Sequence, residues 1–246
     1  MRLICIGCDC IHSEVANSSK SQNQCIHFLH TLLEKCYNAT YWDDVLGNRT
    51  PHNNLYKMKK FIKKNPVLLV VDVQKGFLDE KHWGGNRNNK NAELVCSKLI
   101  KKWRDLNLKI IHVKHSSLNP KSPLHKNNPG FEFNQMVTPL DNEIVIIKNV
   151  NSAFIGTNLK EMLDNEKCTT IVIVGLTTDH CISTTTRMAG NFGYETYVIS
   201  DATATFDKEG LSGERFSSEE VHQISLASLQ NEFATVLKYE QLINMK

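Results

Sequence analysis

The stretch Pro66-Val-Leu-Leu-Val-Val71-Asp72-Val-Gln74 is an unbroken run of aliphatic residues that ends on a carboxylate. A strand with one wet face alternates apolar and polar side chains. An uninterrupted run calls for burial on both faces, as in a parallel sheet held between layers of helices. Working outward, runs of the same kind return at Lys109–Val113, Ile144–Ile147, Thr170–Val174, Thr196–Ile199 and Ala234–Leu237. Helical patterning fills the intervals Asn91–Leu106, Asn158–Asn165, Asp179–Phe192 and Ser218–Gln230. This alternation predicts an α/β domain: a three-layer, doubly wound, six-stranded and mostly parallel sheet flanked by helices.

Upstream the character changes. Cys5, Cys8, Cys10, Cys25 and Cys36 crowd the start, and Asn17–Gln24 is rich in Ser, Asn and Gln. Cys25–Tyr37 places Ile26, Leu29, Leu32 and Leu33 roughly on one helical face, and a basic run covers Lys57–Lys64. Residues 1–64 are read as an N-terminal extension of unassigned role, and residues 65–246 as the α/β domain.

Composition narrows the partners. The 29 basic and 26 acidic side chains leave a net charge of +3 with the lysines scattered, whereas nucleic-acid recognition calls for a clustered basic face. No apolar run nears the roughly 20 residues of a membrane span, and Met1-Arg-Leu-Ile-Cys-Ile-Gly-Cys8 turns polar too soon for a signal peptide. The expectation is a cytoplasmic protein that binds neither nucleic acid nor membrane. Eight cysteines in 246 residues do not make a disulfide scaffold.

In an open parallel sheet, ligands bind beyond the carboxyl ends of the strands. Asp72 closes the first run, Lys148 closes the third, and Cys181 follows the fourth in Val174-Gly-Leu-Thr-Thr-Asp-His-Cys181. A carboxylate, an ammonium and a thiol are thereby delivered to one edge. Thr178 is a candidate N-cap that puts Cys181 in a first helical turn, where orphan amides and the helix dipole favour a thiolate and lower its pKa. The same amides offer donors to an oxyanion, and Gly175 lets the chain turn off the strand.

With Leu68-Leu-Val-Val-Asp72-Val-Gln74-Lys-Gly-Phe77, Lys148-Asn-Val-Asn-Ser152-Ala-Phe154 and Gly175-Leu-Thr-Thr178-Asp-His-Cys181 in order, the chain resembles the isochorismatase-like cysteine hydrolases from about Pro66 onward. Trp83-Gly-Gly-Asn-Arg87-Asn-Asn89 and Ser225-Leu-Ala-Ser-Leu-Gln-Asn-Glu-Phe-Ala-Thr235 are similar to a subgroup that includes relatives of streptothricin hydrolase. The resemblance implies a catalytic triad of Asp72, Lys148 and Cys181. It also implies a cis peptide at Leu176–Thr177 and an oxyanion hole built from the backbone N–H groups of Thr177 and Cys181. The implied reaction is cysteine-dependent hydrolysis of an amide-type C–N bond in a small molecule through a thioester, with no cofactor, in a homo-oligomer (dimer or tetramer).

Two relatives define the alternatives. Isochorismatase-type enzymes cleave a vinyl ether without the cysteine, which this chain retains. Nicotinamidase-type enzymes carry an Asp-x-His metal site after the second strand, where this chain reads His112-Val-Lys-His115-Ser-Ser-Leu-Asn-Pro-Lys-Ser-Pro-Leu-His125. The acidic ligand is missing, so no metal is expected. His115 is assigned to the pocket rim. Phe77, Trp83 and Phe154 are candidates for the pocket wall, and Gln74 for organising the site by hydrogen bonds. Asn88 and Asn89 are read as capping the following helix. A rival of another class is a metal- or redox-binding interaction protein built on Cys5, Cys8, Cys10 and His12, although no second half of such a module follows.

Overall fold

The computed structural model describes residues 60–245. The cysteine-rich start and the helix expected at Cys25–Tyr37 lie outside the described residues. In chain order the elements are β1 (Val67–Val71), α1 (Glu80–Trp83), α2 (Ala92–Asp105), β2 (Ile110–His115), β3 (Ile144–Lys148), α3 (Leu159–Asn165) and β4 (Thr170–Leu176). A π-helical turn (Thr178–Ile182) leads into α4 (Ser183–Asn191), followed by β5 (Glu195–Ala204), a small hairpin of β6 (Lys208–Glu209) and β7 (Arg215–Phe216), α5 (Ser218–Ala227), β8 (Thr235–Leu237) and α6 (Tyr239–Ile243).

The sheet is six-stranded in the order β3-β2-β1-β4-β5-β8, and each of its pairings is parallel. The chain builds outward from β1 to β3, then returns beside β1 with β4 and builds the other way. That reversal leaves a crevice above the carboxyl ends of β1 and β4, where an open α/β sheet binds its ligands.

Continuous apolar runs have the predicted consequence in the centre and fail at the edge. All residues of β1 and of β4 are buried. On β3 the pattern breaks, because an edge strand lacks cover on one side, and Val145 and Ile147 are exposed. Alternate residues of β1 feed two cores. Leu68 and Val70 pack with Cys96, Leu99, Ile100 and Trp103 of α2 and Leu242 of α6. Leu69 and Val71 pack with Leu159 and Leu163 of α3, Ala189 of α4 and Leu226 of α5. The buried positions of α2 recur at helical spacing, and each fully buried Leu or Ile there contributes about 2 kcal/mol. Trp103 Nε1 donates to Pro66 O at 2.9 Å and pins α2 to the entry of β1.

The packed body starts ahead of residue 65. Phe61 is buried edge-on to Trp103 and Tyr197, with centroids 6.3 and 5.6 Å away, and Lys64 pairs with Glu195 at 2.7 Å. Gly175 has a different role from the one read in the sequence. It lies within β4, opposite Val71, with φ +123°, and a Cβ there would stand 1.8 Å from the Val71 carbonyl oxygen. Close approach of two central strands requires the glycine; the chain leaves the sheet only after Leu176.

Candidate active site

Strand order brings the three reactive side chains together. Lys148 ends β3 beside His115 of β2, and its long side chain reaches past His115 to the residue that follows β1. Lys148 Nζ lies 2.6 Å from Asp72 Oδ2 and 3.2 Å from Cys181 Sγ. It also meets Val150 O at 3.1 Å and His115 Nδ1 at 3.2 Å. Asp72 and Lys148 are fully buried and Cys181 nearly so. Asp72 sits at φ +53°, a left-handed conformation that Asp tolerates better than most residues, with its N–H bonded to Val113 O at 2.9 Å. Its Oδ1 is buried and has no hydrogen-bond partner.

Burial is the largest influence on the Cys181 thiol and pushes its pKa well up; the Asp72 carboxylate adds to the rise and Lys148 opposes it. The environment therefore favours the thiol over the thiolate. This corrects the expectation of a thiolate favoured by a helix terminus, because desolvation and an adjacent anion outweigh a partial dipole charge. Burial pulls the Lys148 ammonium down, but Asp72 and Cys181 more than reverse it, so its pKa is raised and the side chain stays charged. Burial, followed by the charge of Lys148, lowers the pKa of His115. Its imidazole is therefore neutral and accepts from the ammonium at Nδ1.

The local backbone also differs from a simple capped helix. Residues 178–182 form a π-helical turn whose N-cap is Thr177, without a side-chain cap bond. The bond Ile182 N–H to Thr177 O, 3.1 Å, closes that wider turn. Thr178 Oγ1 lies 2.9 Å from Nδ1 of the buried His222 of α5, a role the sequence reading missed. The Leu176–Thr177 peptide is cis. Thr177 is buried, its Oγ1 has no partner, and among the described residues its N–H meets no backbone acceptor.

The remaining candidates separate. Gln74 is a brace: its Nε2 donates to His115 O at 3.0 Å and Phe131 O at 2.9 Å, and its Oε1 accepts from His115 N at 2.8 Å. Phe77 is buried and Trp83 half-buried, their rings 4.8 Å apart and grouped with Phe206. Phe77 belongs to the core cluster of the α2 side, with Trp83 packed against it, whereas Cys181 belongs to the other cluster. Phe154 packs on Phe192 and Tyr194, with centroids 5.3 and 6.2 Å away, toward the amino-terminal edge of the sheet.

The segment Trp83–Asn89 holds the loop before α2. Arg87 grips buried Glu93 through two bonds of 2.7 and 2.6 Å. Asn89 Nδ2 donates to Ser200 O and Thr203 O at 2.9 and 2.8 Å, and Asn88 Oδ1 accepts from Thr205 N at 2.8 Å. The cap position of α2 belongs to Asn91. A side chain not singled out in the sequence lies at the site: the exposed Asn151, with Oδ1 3.8 Å from Cys181 Sγ. Its signal was present, as a polar residue within Lys148–Phe154.

Ligand atoms of Asp72, His115 and Cys181 lie within 4.8 Å of one another, a donor set that suits a thiophilic cation. Lys148 Nζ bonds to all three residues, so a metal would need the place the ammonium holds. His112 and His125 stand apart. His112 bonds to Glu143 Oε2 at 2.9 Å, and His125 Nδ1 accepts from Asn127 N at 3.3 Å.

Comparison with known proteins agrees with this architecture. The family model described as an isochorismatase domain matches residues 66–241. An uncharacterised isochorismatase family protein of Bacillus subtilis, YrdC, is 49% identical over 183 residues, 74% of this chain and 97% of that protein. Streptothricin hydrolase of Streptomyces noursei is 28% identical over 144 residues, which cover 57% of this chain and 50% of that enzyme. A crystal structure of an isochorismatase-family protein from Chromobacterium violaceum superposes with a TM-score of 0.70 at 38% identity, covering 73% of this chain and 92% of that one.

Proposed function

The chain belongs to the isochorismatase family of hydrolases, and from that premise we propose that it hydrolyses an amide-type C–N bond of a small molecule, with Cys181 as nucleophile, Asp72 as acid–base and Lys148 as the fixed cation. One observation carries the reading: Lys148 Nζ stands between Asp72 Oδ2 and Cys181 Sγ, at 2.6 and 3.2 Å, with all three side chains buried.

The thiol starts protonated, so proton removal accompanies attack. As Sγ bonds to the substrate carbonyl carbon, the thiol proton passes to Asp72, whose Oδ1 is free to take it. Lys148 stabilises the carboxylate before the transfer and the developing sulfur charge during it. The oxyanion is assigned to the backbone N–H groups of Thr177 and Cys181. Collapse breaks the C–N bond, and Asp72 returns its proton to the departing nitrogen. Water then attacks the thioester and loses a proton to Asp72. The acid leaves, and the proton returns to sulfur.

Streptothricin hydrolase supports a C–N bond as the target by analogy, over half its own length. Retention of Cys181 favours this reading over vinyl-ether cleavage. The test is an ammonia-release screen over small amides, lactams and ureides with wild type and Cys181→Ala in parallel. Release that depends on Cys181 is expected. Equal release by the variant would refute the nucleophile assignment.

A further inference from the structure

We propose that Asn151 is a further catalytic residue, whose carboxamide borders the open side of the Cys181 sulfur and hydrogen-bonds a neutral polar group of the substrate beside the carbonyl under attack. The proposal rests on Cys181 as nucleophile.

Three observations converge on it. The first is access. The neighbours of Sγ on the protein side, Lys148 and Asp72, are fully buried, whereas Asn151 is exposed. An electrophilic carbon therefore reaches the sulfur past Asn151. The second is anchoring. Val150 O accepts from Lys148 Nζ at 3.1 Å. On the other side Ser152 and Ala153 are buried, with Ala153 N–H bonded to Thr185 Oγ1 of α4 at 3.1 Å. Asn151 is thus held between two fixed residues, as a binding group must be. The third is free capacity. Among the described residues the carboxamide has no polar partner other than the sulfur, at 3.8 Å, so its N–H donors are open to a ligand.

The chemistry of the ligand follows from charge. Lys148 is matched by Asp72 and His115 is neutral, so no unpaired cation adjoins the sulfur to receive a carboxylate. A carboxamide offers a donor and an acceptor without charge. The class that fits is a neutral amide, lactam or ureide, with a hydrogen-bonding group next to the scissile carbonyl.

The test uses the full chain and two alkylators of similar size, neutral iodoacetamide and anionic iodoacetate, with labelling of Cys181 followed by peptide mass spectrometry across pH. The charged and titratable groups around the thiol are Asp72, Lys148 and His115 from the strand ends; Asp179 and His180 of its own turn pair with each other, and Asp179 also meets Thr205 and Lys208. Asn151→Asp adds one carboxylate. It is expected to move the midpoint of the labelling profile upward by about one pH unit, with circular dichroism unchanged. Asn151→Ala is expected to lower the ratio of iodoacetamide to iodoacetate rates about tenfold at most, the worth of one hydrogen bond, and Asn151→Gln to restore part of it. A profile for Asn151→Asp that overlays wild type, or a ratio unchanged in Asn151→Ala, overturns the proposal while Cys181 still labels faster than Cys96 and Cys168. If Cys181 labels no faster than those buried thiols and Cys181→Ala keeps its turnover, the nucleophile assignment itself has failed, which is a distinguishable result.

Discussion

Two clusters flank β2, each with a histidine, a carboxylate and a cation, and they differ in what they leave open. On one face His112 Nε2 meets Glu143 Oε2 at 2.9 Å, and Arg104 grips both Glu143 oxygens at 2.7 and 2.8 Å. Leu140 N–H adds a fourth bond to that carboxylate at 3.0 Å. On the other face His115, Lys148, Asp72 and Cys181 gather, with Asp72 Oδ1 and Thr177 Oγ1 buried and unpartnered. Apart from His112 Nδ1, the first cluster uses its hydrogen-bonding capacity on the fold. The second leaves capacity unused beside Cys181, at the edge where the strand order reverses. Buried polar atoms without partners are costly, and two of them, Asp72 Oδ1 and Thr177 Oγ1, belong to the Cys181 cluster.

The largest effect that tests this contrast is Cys181→Ala. Turnover of a responsive amide is expected to fall about 10⁴-fold or more, while the urea midpoint moves little. Any comparable loss of turnover per folded molecule from Arg104→Ala would erase the distinction between the clusters. Next comes Lys148→Met, which leaves the Asp72 carboxylate buried without its partner. Equilibrium denaturation should report a loss of about 3–5 kcal/mol, and Lys148→Met combined with Asp72→Asn should recover part of it.

Glu143→Gln is expected to cost about 1–3 kcal/mol without changing turnover per folded molecule. Its pH signature is distinctive. Burial would raise the Glu143 pKa, but Arg104, the Leu140 N–H and His112 more than reverse this and bring it from 4.5 to about 2. The folded protein thus binds fewer protons than the unfolded chain in that interval. The stabilisation is complete above pH 4.5 and is lost as pH falls toward 2. The variant should therefore show a flatter acid limb in a pH series of melting temperatures. The smallest effect is that of Thr178→Val, which removes the bond to His222 that ties the turn carrying Cys181 to α5. About 1 kcal/mol is expected, read as a lower melting temperature.

Much of the fold was legible in short apolar runs. Val67–Val71 has the bounds read from the sequence, because nothing polar intrudes before Asp72. β2 and β5 run on through Lys114, His115, Ser200 and Asp201, polar residues that a search for apolar runs excludes. The β6–β7 hairpin and α6 are too short to carry a period. In the site, Asp72, Lys148 and Cys181 were legible as reactive groups at strand ends. Asn151 carries only a weak signal, as a single polar residue within Lys148–Phe154. Phe77, Trp83 and Phe154 cannot be sorted by sequence alone, because an aromatic residue reads alike in a core and in a pocket.

The sequence by itself determined the class of fold, the family and which strand ends carry a carboxylate, an ammonium and a thiol. Those are local properties, written in runs and motifs. The tertiary structure alone decided that Lys148, from an edge strand, crosses β2 to reach Asp72, and that His115 joins the reactive cluster while His112, three residues away, belongs to the other face. It also decided that burial and the neighbouring Asp72 carboxylate push the thiol's pKa up. Strand order, pleat parity and the desolvation of one charge beside another arise from contacts between residues far apart in the chain.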